Sequence, residues 1–156
     1  TDDRGEAGLV YTWSVITAPT GAAVTFSATG TNAAKSNTAT FTKAGAYTLR
    51  VTATDAGGLS VSADVPFTLT AAFTSVTVTP ATASVKRGAT QQFAAVALDQ
   101  FNSPLAVQPS FAWSITGTNS ITQTGLATGG TKTGTFSVTA TSGGKSGTAK
   151  LTVTRK

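Results

Sequence analysis

The chain has 156 residues and 40% hydrophobic content, enough for one large core or two small ones. It contains no histidine and no cysteine, which excludes Ser-His and Cys-His nucleophiles, imidazole or thiolate metal sites and disulfides. Charged residues make up only 11%, and the net charge of +5 belongs to the second half: four basic side chains face five acidic ones up to Ala71, after which Lys86, Arg87, Lys132, Lys145, Lys150, Arg155 and Lys156 face Asp99 alone. Those cations are scattered over predicted turns and strand ends, without the aromatic interleaving or compact basic run of a nucleic-acid face, and read as solvated surface.

Thr, Ala, Val, Ser and Gly dominate and helix formers are scarce, the mark of short strands joined by glycine turns. Residues 1–8 form a polar lead-in carrying Asp2, Asp3 and Glu6. Strands are predicted at 9–16, 24–27, 38–41, 47–54 and 59–70. Ala18-Pro19-Thr20-Gly21, Lys43-Ala44-Gly45 and Asp55-Ala56-Gly57-Gly58 supply the turn chemistry between them. In the fourth strand Tyr47, Leu49, Val51 and Ala53 share a face, and Tyr47 suits a corner in which a buried ring sends its hydroxyl back to the backbone. In the fifth, Leu59, Val61, Ala63, Val65, Phe67 and Leu69 continue the alternation, and Pro66 places it at a sheet edge.

Ala71-Ala72 is too short for a floppy linker and is the predicted boundary between a domain of residues 1–71 and one of residues 72–156. The second restarts at 73–79, turns at Pro80 and continues at 91–98, 110–116, a weak strand at 120–127, 135–141 and 147–154, six segments in a length with room for about seven strands. No stretch carries a helical period, no apolar run has the length of a membrane span, and neither an initiator methionine nor a signal peptide is recognisable. The chain therefore reads as a piece of a larger, processed protein.

Tyr11-Thr12-Trp13-Ser14-Val15-Ile16 returns almost unchanged as Phe111-Ala112-Trp113-Ser114-Ile115-Thr116, and these copies hold the only two tryptophans. Strict alternation puts Tyr11, Trp13 and Val15, and then Phe111, Trp113 and Ile115, on one face of a strand. One indole to a core predicts two cores, with Trp13, Tyr47 and Trp113 as structural residues.

The first half, in Tyr11-Thr12-Trp13, Lys43-Ala44-Gly45-Ala46-Tyr47-Thr48-Leu49-Arg50-Val51 and Asp55-Ala56-Gly57-Gly58-Leu59-Ser60, resembles the PKD-type and cadherin-like repeats of bacterial extracellular proteins. The second, in Ser75-Val76-Thr77-Val78-Thr79-Pro80, Gly88-Ala89-Thr90-Gln91-Gln92-Phe93, Phe111-Ala112-Trp113-Ser114 and Gly125-Leu126-Ala127, is similar to a bacterial immunoglobulin-like domain of group 2. The resemblances imply an all-β fold of two tandem immunoglobulin-like β-sandwiches. They imply a non-catalytic structural or adhesive segment of a bacterial secreted or cell-surface protein, or alternatively a carbohydrate-binding accessory module of a secreted polysaccharide-degrading enzyme.

A repeat of the first type normally places two strands ahead of its acidic loop and Trp strand, and here that loop stands at the N-terminus. The burial forfeited with two strands is at most on the order of 10–18 kcal/mol, which rivals a domain's whole stability of about 5–15 kcal/mol. Strands from outside residues 1–156 are therefore expected to complete the first sandwich. They come either from neighbouring modules of the same protein or from a neighbouring subunit, and a neighbouring subunit implies a filament.

Carboxylates are the remaining chemical resource. Asp64 and Asp99 stand alone on different domains, whereas Asp2, Asp3, Glu6 and Asp55 gather at one tip. Either these four form a hard-oxygen site for calcium, as in cadherin-like repeats, or they are a solvated acidic loop with Asp55 capping a turn. Ser142-Gly143-Gly144-Lys145-Ser146 carries a Gly-Lys-Ser but lacks the upstream glycine and the following helix of a phosphate loop, and reads as a hairpin turn.

Overall fold

The apolar alternation of the first half becomes five strands: β1 (Val10–Thr17), β2 (Val24–Phe26), β3 (Ala39–Phe41), β4 (Gly45–Thr54) and β5 (Ser60–Leu69). The computed structural model describes residues 5–155, and the chain divides into two compact units, Thr1–Ala71 and Ala72–Lys156.

In the first unit β4 lies between β1 and β5 in an antiparallel sheet, and β2 and β3 pair separately. The register sets Trp13 opposite Val51 and Val51 opposite Ala63, and likewise Val15, Leu49 and Val65 in a row. Because side chains alternate across a strand, these residues share the face that carries Tyr47 and Phe67. The other face is polar: Arg50 and Asp64 form an ion pair at 2.6 Å, and the Thr52 and Ser62 hydroxyls meet at 2.8 Å.

Tyr47 anchors this unit and is 2% exposed. Its ring stacks on Phe67 at 5.6 Å and meets the edge of Phe41 at 4.9 Å, and its hydroxyl donates to the Lys43 carbonyl at 2.7 Å. Such ring pairs add about 0.5–1.5 kcal/mol each beyond their buried area. Trp13 is half-buried rather than central. It stacks on Phe26 at 6.1 Å and its indole N–H donates to the Ala34 carbonyl at 2.8 Å.

The second unit contains nine strands: β6 (Ser75–Thr79), β7 (Thr82–Lys86), β8 (Thr90–Gln92), β9 (Ala94–Leu98), β10 (Ala112–Ile115), β11 (Ser120–Ile121), β12 (Leu126–Thr128), β13 (Gly134–Ser142) and β14 (Lys145–Thr154). They form sheets β10-β13-β14-β7, β11-β12-β8 and β6-β9, with β7 parallel to β14 and the other pairs antiparallel.

The excess over seven has local causes. Residues 120–127 are a hairpin, β11 and β12, closed by the Gly125 N–H on the Thr122 carbonyl at 3.0 Å. Residues 91–98 change sheets at Phe93: β8 pairs with β12, a pairing that ends with the Phe93 N–H on the Gly125 carbonyl at 2.9 Å, and β9 pairs with β6. The chain also changes sheets between β6 and β7, so that β6 pairs with β9 and β7 with β14. Phe93, Val138, Leu151 and Val153 are fully buried, with Trp113 and Phe111 half-buried against them.

Candidate functional site

The two units share an architecture. The last five strands of the second, β10 to β14, repeat the order and pairing of β1 to β5: the Trp strand, the long central strand and the final strand form one antiparallel sheet, and the two short strands pair with each other. Trp113 stands opposite Ala140 and Ala140 opposite Gly147, as Trp13, Val51 and Ala63 do. By register, then, Gly147 and Ala63 occupy the same place.

What differs is the cover. In the second unit β7 pairs along the outer edge of β14, and β8 along β12. On the apolar face of β14, Gly147, Ala149, Leu151 and Val153 are all buried. The approach is so close that a Cβ on Gly147 would lie 2.5 Å from the Val76 carbonyl oxygen of β6. Among the described residues of the first unit, β5 is an edge strand and β3 has no partner besides β2. Val61 is 71% exposed, Val65 43%, and Leu59 in the preceding turn 76%. A hollow of about 310 Å³ opens there, bounded by Leu9, Ala53, Asp55, Leu59, Ser60 and Val61. Aliphatic side chains in a row on an unpaired edge strand are the feature that native sheets usually blunt or cover.

Asp2 and Asp3 lie outside the described residues. Of the other two acids of the predicted calcium tip, Glu6 takes the Lys35 ammonium at 2.8 Å and the Asn32 amide at 3.3 Å, while Asp55 closes its turn by accepting the Leu59 N–H at 2.8 Å. Among the described residues no three His, Cys, Asp or Glu side chains stand together as a metal cluster. Asp64 meets Arg50, not a second carboxylate, across the β4–β5 ladder. Asp99 is buried, and its Oδ1 accepts the Phe101 and Ser103 N–H groups at 2.8 and 2.9 Å, organising its loop. Gly143 and Gly144, both at positive φ, form the two-residue turn between β13 and β14, so the Gly-Lys-Ser run cradles no phosphate.

Hydrogen bonding to Arg50 holds the Asp64 carboxyl below its usual range, and hydrogen bonding to Lys35 does the same for Glu6. A carboxylate depressed by folding adds stability above its unfolded value of about 4 and loses it as pH falls through the folded value. The first unit should therefore lose urea resistance below about pH 4. The double variant Asp64→Asn, Glu6→Gln should flatten that dependence, and because both pairs are exposed the difference should shrink in high salt. Urea midpoints across acid pH, at low and high salt, check this.

No described helix is long and apolar enough to cross a membrane. No curated protein matches the chain in sequence. Among solved structures, the S-layer protein SbsC is similar at 16% identity and a TM-score of 0.46, over 96% of this chain and 20% of that one. The protocadherin GammaB4 extracellular domain is similar at 17% identity and a TM-score of 0.45, over 92% of this chain and 26% of that one. The chain thus spans only about a fifth to a quarter of these structures. The model of the bacterial Ig-like domain (group 2) matches residues 72–153, which include β6 to β13 and nearly all of β14. Through that match, over more than half its length, the chain belongs to the bacterial Ig-like (group 2) family.

Proposed function

We propose that this chain is a non-catalytic structural or adhesive segment of a bacterial secreted or cell-surface protein, whose first unit is a PKD- or cadherin-like module completed by strands from outside residues 1–156. The bare apolar face of β5, set against the covered face of β14, carries this reading. In the second unit the covering strands β6 to β9 immediately precede the Trp strand. The same order in the first unit favours, as the occupant, an extended segment of the same polypeptide with apolar residues at alternate positions as in β7, where Ala83 and Val85 turn inward. Ala63, standing where β14 has glycine, keeps that segment's backbone farther off than β6 comes to β14. A non-catalytic role is supported by the lack of histidine and cysteine and by the prior engagement of Glu6, Asp55, Asp64 and Asp99.

Anilinonaphthalene sulfonate fluorescence together with light scattering over a concentration series of residues 1–156 tests this. An open face filled in cis predicts monomers that bind the dye, and loss of that binding in Val61→Lys, Val65→Lys. Oligomers that grow with concentration and dissolve in that variant would move the donor to a neighbouring molecule and make the chain a filament subunit. Monomers that bind no dye would overturn the reading.

A further inference from the structure

The second unit contains a cleft of about 500 Å³ between the β8–β9 region, the start of β10 and the β11–β12 turn. Phe111 and Trp113 form its aromatic wall, and Gln92, Gln123 and Ser110 contribute polar groups. No lysine, arginine, aspartate or glutamate lines it. Its volume falls within the range of small-ligand clefts, about 300–1,000 Å³.

One of these polar groups is held in place. Gln92 donates both bonds of its amide nitrogen, to the Phe93 and Thr124 carbonyls, each at 2.7 Å, which fixes its side chain, and its carbonyl oxygen has no donor among the described residues. The Trp13 indole N–H is spent on the Ala34 carbonyl, whereas the Trp113 N–H has no acceptor among the described residues. Gly125 accounts for the position of the Trp113 ring: a Cβ there would lie 2.9 Å from Trp113 Cζ2 and 2.4 Å from the Phe93 carbonyl oxygen.

We propose that this cleft binds one residue of a neutral saccharide. The aromatic wall takes the apolar face of a pyranose ring, the Trp113 N–H and Gln92 carbonyl take a hydroxyl acceptor and donor, and Ser110 and Gln123 reach outer hydroxyls. The absence of charge in the wall disfavours nucleic acid and uronic-acid polymers. The inference does not depend on how the first unit is completed.

Titration of residues 1–156 with neutral hexasaccharides of glucose, mannose and xylose, followed by calorimetry and by fluorescence in a Trp13→Phe background, tests it. At least one should bind in the micromolar to millimolar range and shift Trp113 emission. Trp113→Phe, which keeps a ring and removes the N–H, should weaken binding by up to about tenfold. Gln123→Ala alters an exposed side chain that has no partner among the described residues, so it should leave the fold intact and weaken binding severalfold. Absence of binding by all three sugars would overturn the assignment. So would binding unchanged in both variants, equal binding of polyuronates, or occupancy of the cleft by a polyproline peptide in preference to sugar.

Discussion

Tyr47→Ala should unfold the first unit while leaving the second intact. Truncating a buried aromatic costs about 3–5 kcal/mol, and Tyr47 is the centre at which Phe41 and Phe67 meet. A whole domain holds only about 5–15 kcal/mol, and a unit with Val61 and Val65 left in water belongs near the lower end. Tyr47→Phe separates the two contributions: the rings remain, the hydroxyl bond to Lys43 is lost, and the cost falls to about 0.5–1.5 kcal/mol. Because each unit has one tryptophan, denaturation in a Trp113→Phe background reads the first through Trp13, and a Trp13→Phe background reads the second. A Trp13-monitored transition that Tyr47→Ala shifts by less than about 0.5 kcal/mol would remove Tyr47 from its place as anchor.

Alternation along the sequence located β1, β4, β5, β13 and β14, because a period of two over six or more residues has little competing explanation. Turn chemistry placed Asp55 and the Gly143-Gly144 hairpin, and Pro66 placed β5 at an edge. The short β2 and β3 fall within the predicted 24–27 and 38–41, but other short elements were not legible. Thr82-Ala83-Ser84-Val85-Lys86 offers only two inward residues, yet as β7 it is the strand that seals β14. The single strand at 91–98 divides at Phe93 because β8 pairs with β12 and β9 with β6, a change of sheet with no local mark. The Arg50–Asp64 pair was equally hidden, since two residues fourteen apart meet only once the β4–β5 register is fixed.

The tryptophans show a related limit. One indole to a core is the expectation from sequence, yet Trp13 and Trp113 lie on edge strands of their sheets and remain half-buried. The deepest positions belong to Tyr47 in one unit and to Phe93, Val138, Leu151 and Val153 in the other. Periodicity in 59–70 identified the apolar face of β5 correctly. It is silent on whether anything lies across that face, because cover depends on strands far away in sequence or outside it.

The most direct measurement of that cover is a matched pair of substitutions at equivalent positions. Gly147→Val pushes side-chain atoms into the Val76 backbone, which cannot swing aside, and overpacking of this kind costs about 1–3 kcal/mol or more. Ala63→Val makes a similar change on an exposed strand with no covering strand among the described residues, and should alter stability by no more than about 0.5 kcal/mol. In urea unfolding of residues 1–156, each unit read through its own tryptophan, an open first unit predicts a large loss for Gly147→Val and almost none for Ala63→Val. Equal losses from the two would show that the face of β5 is already closed.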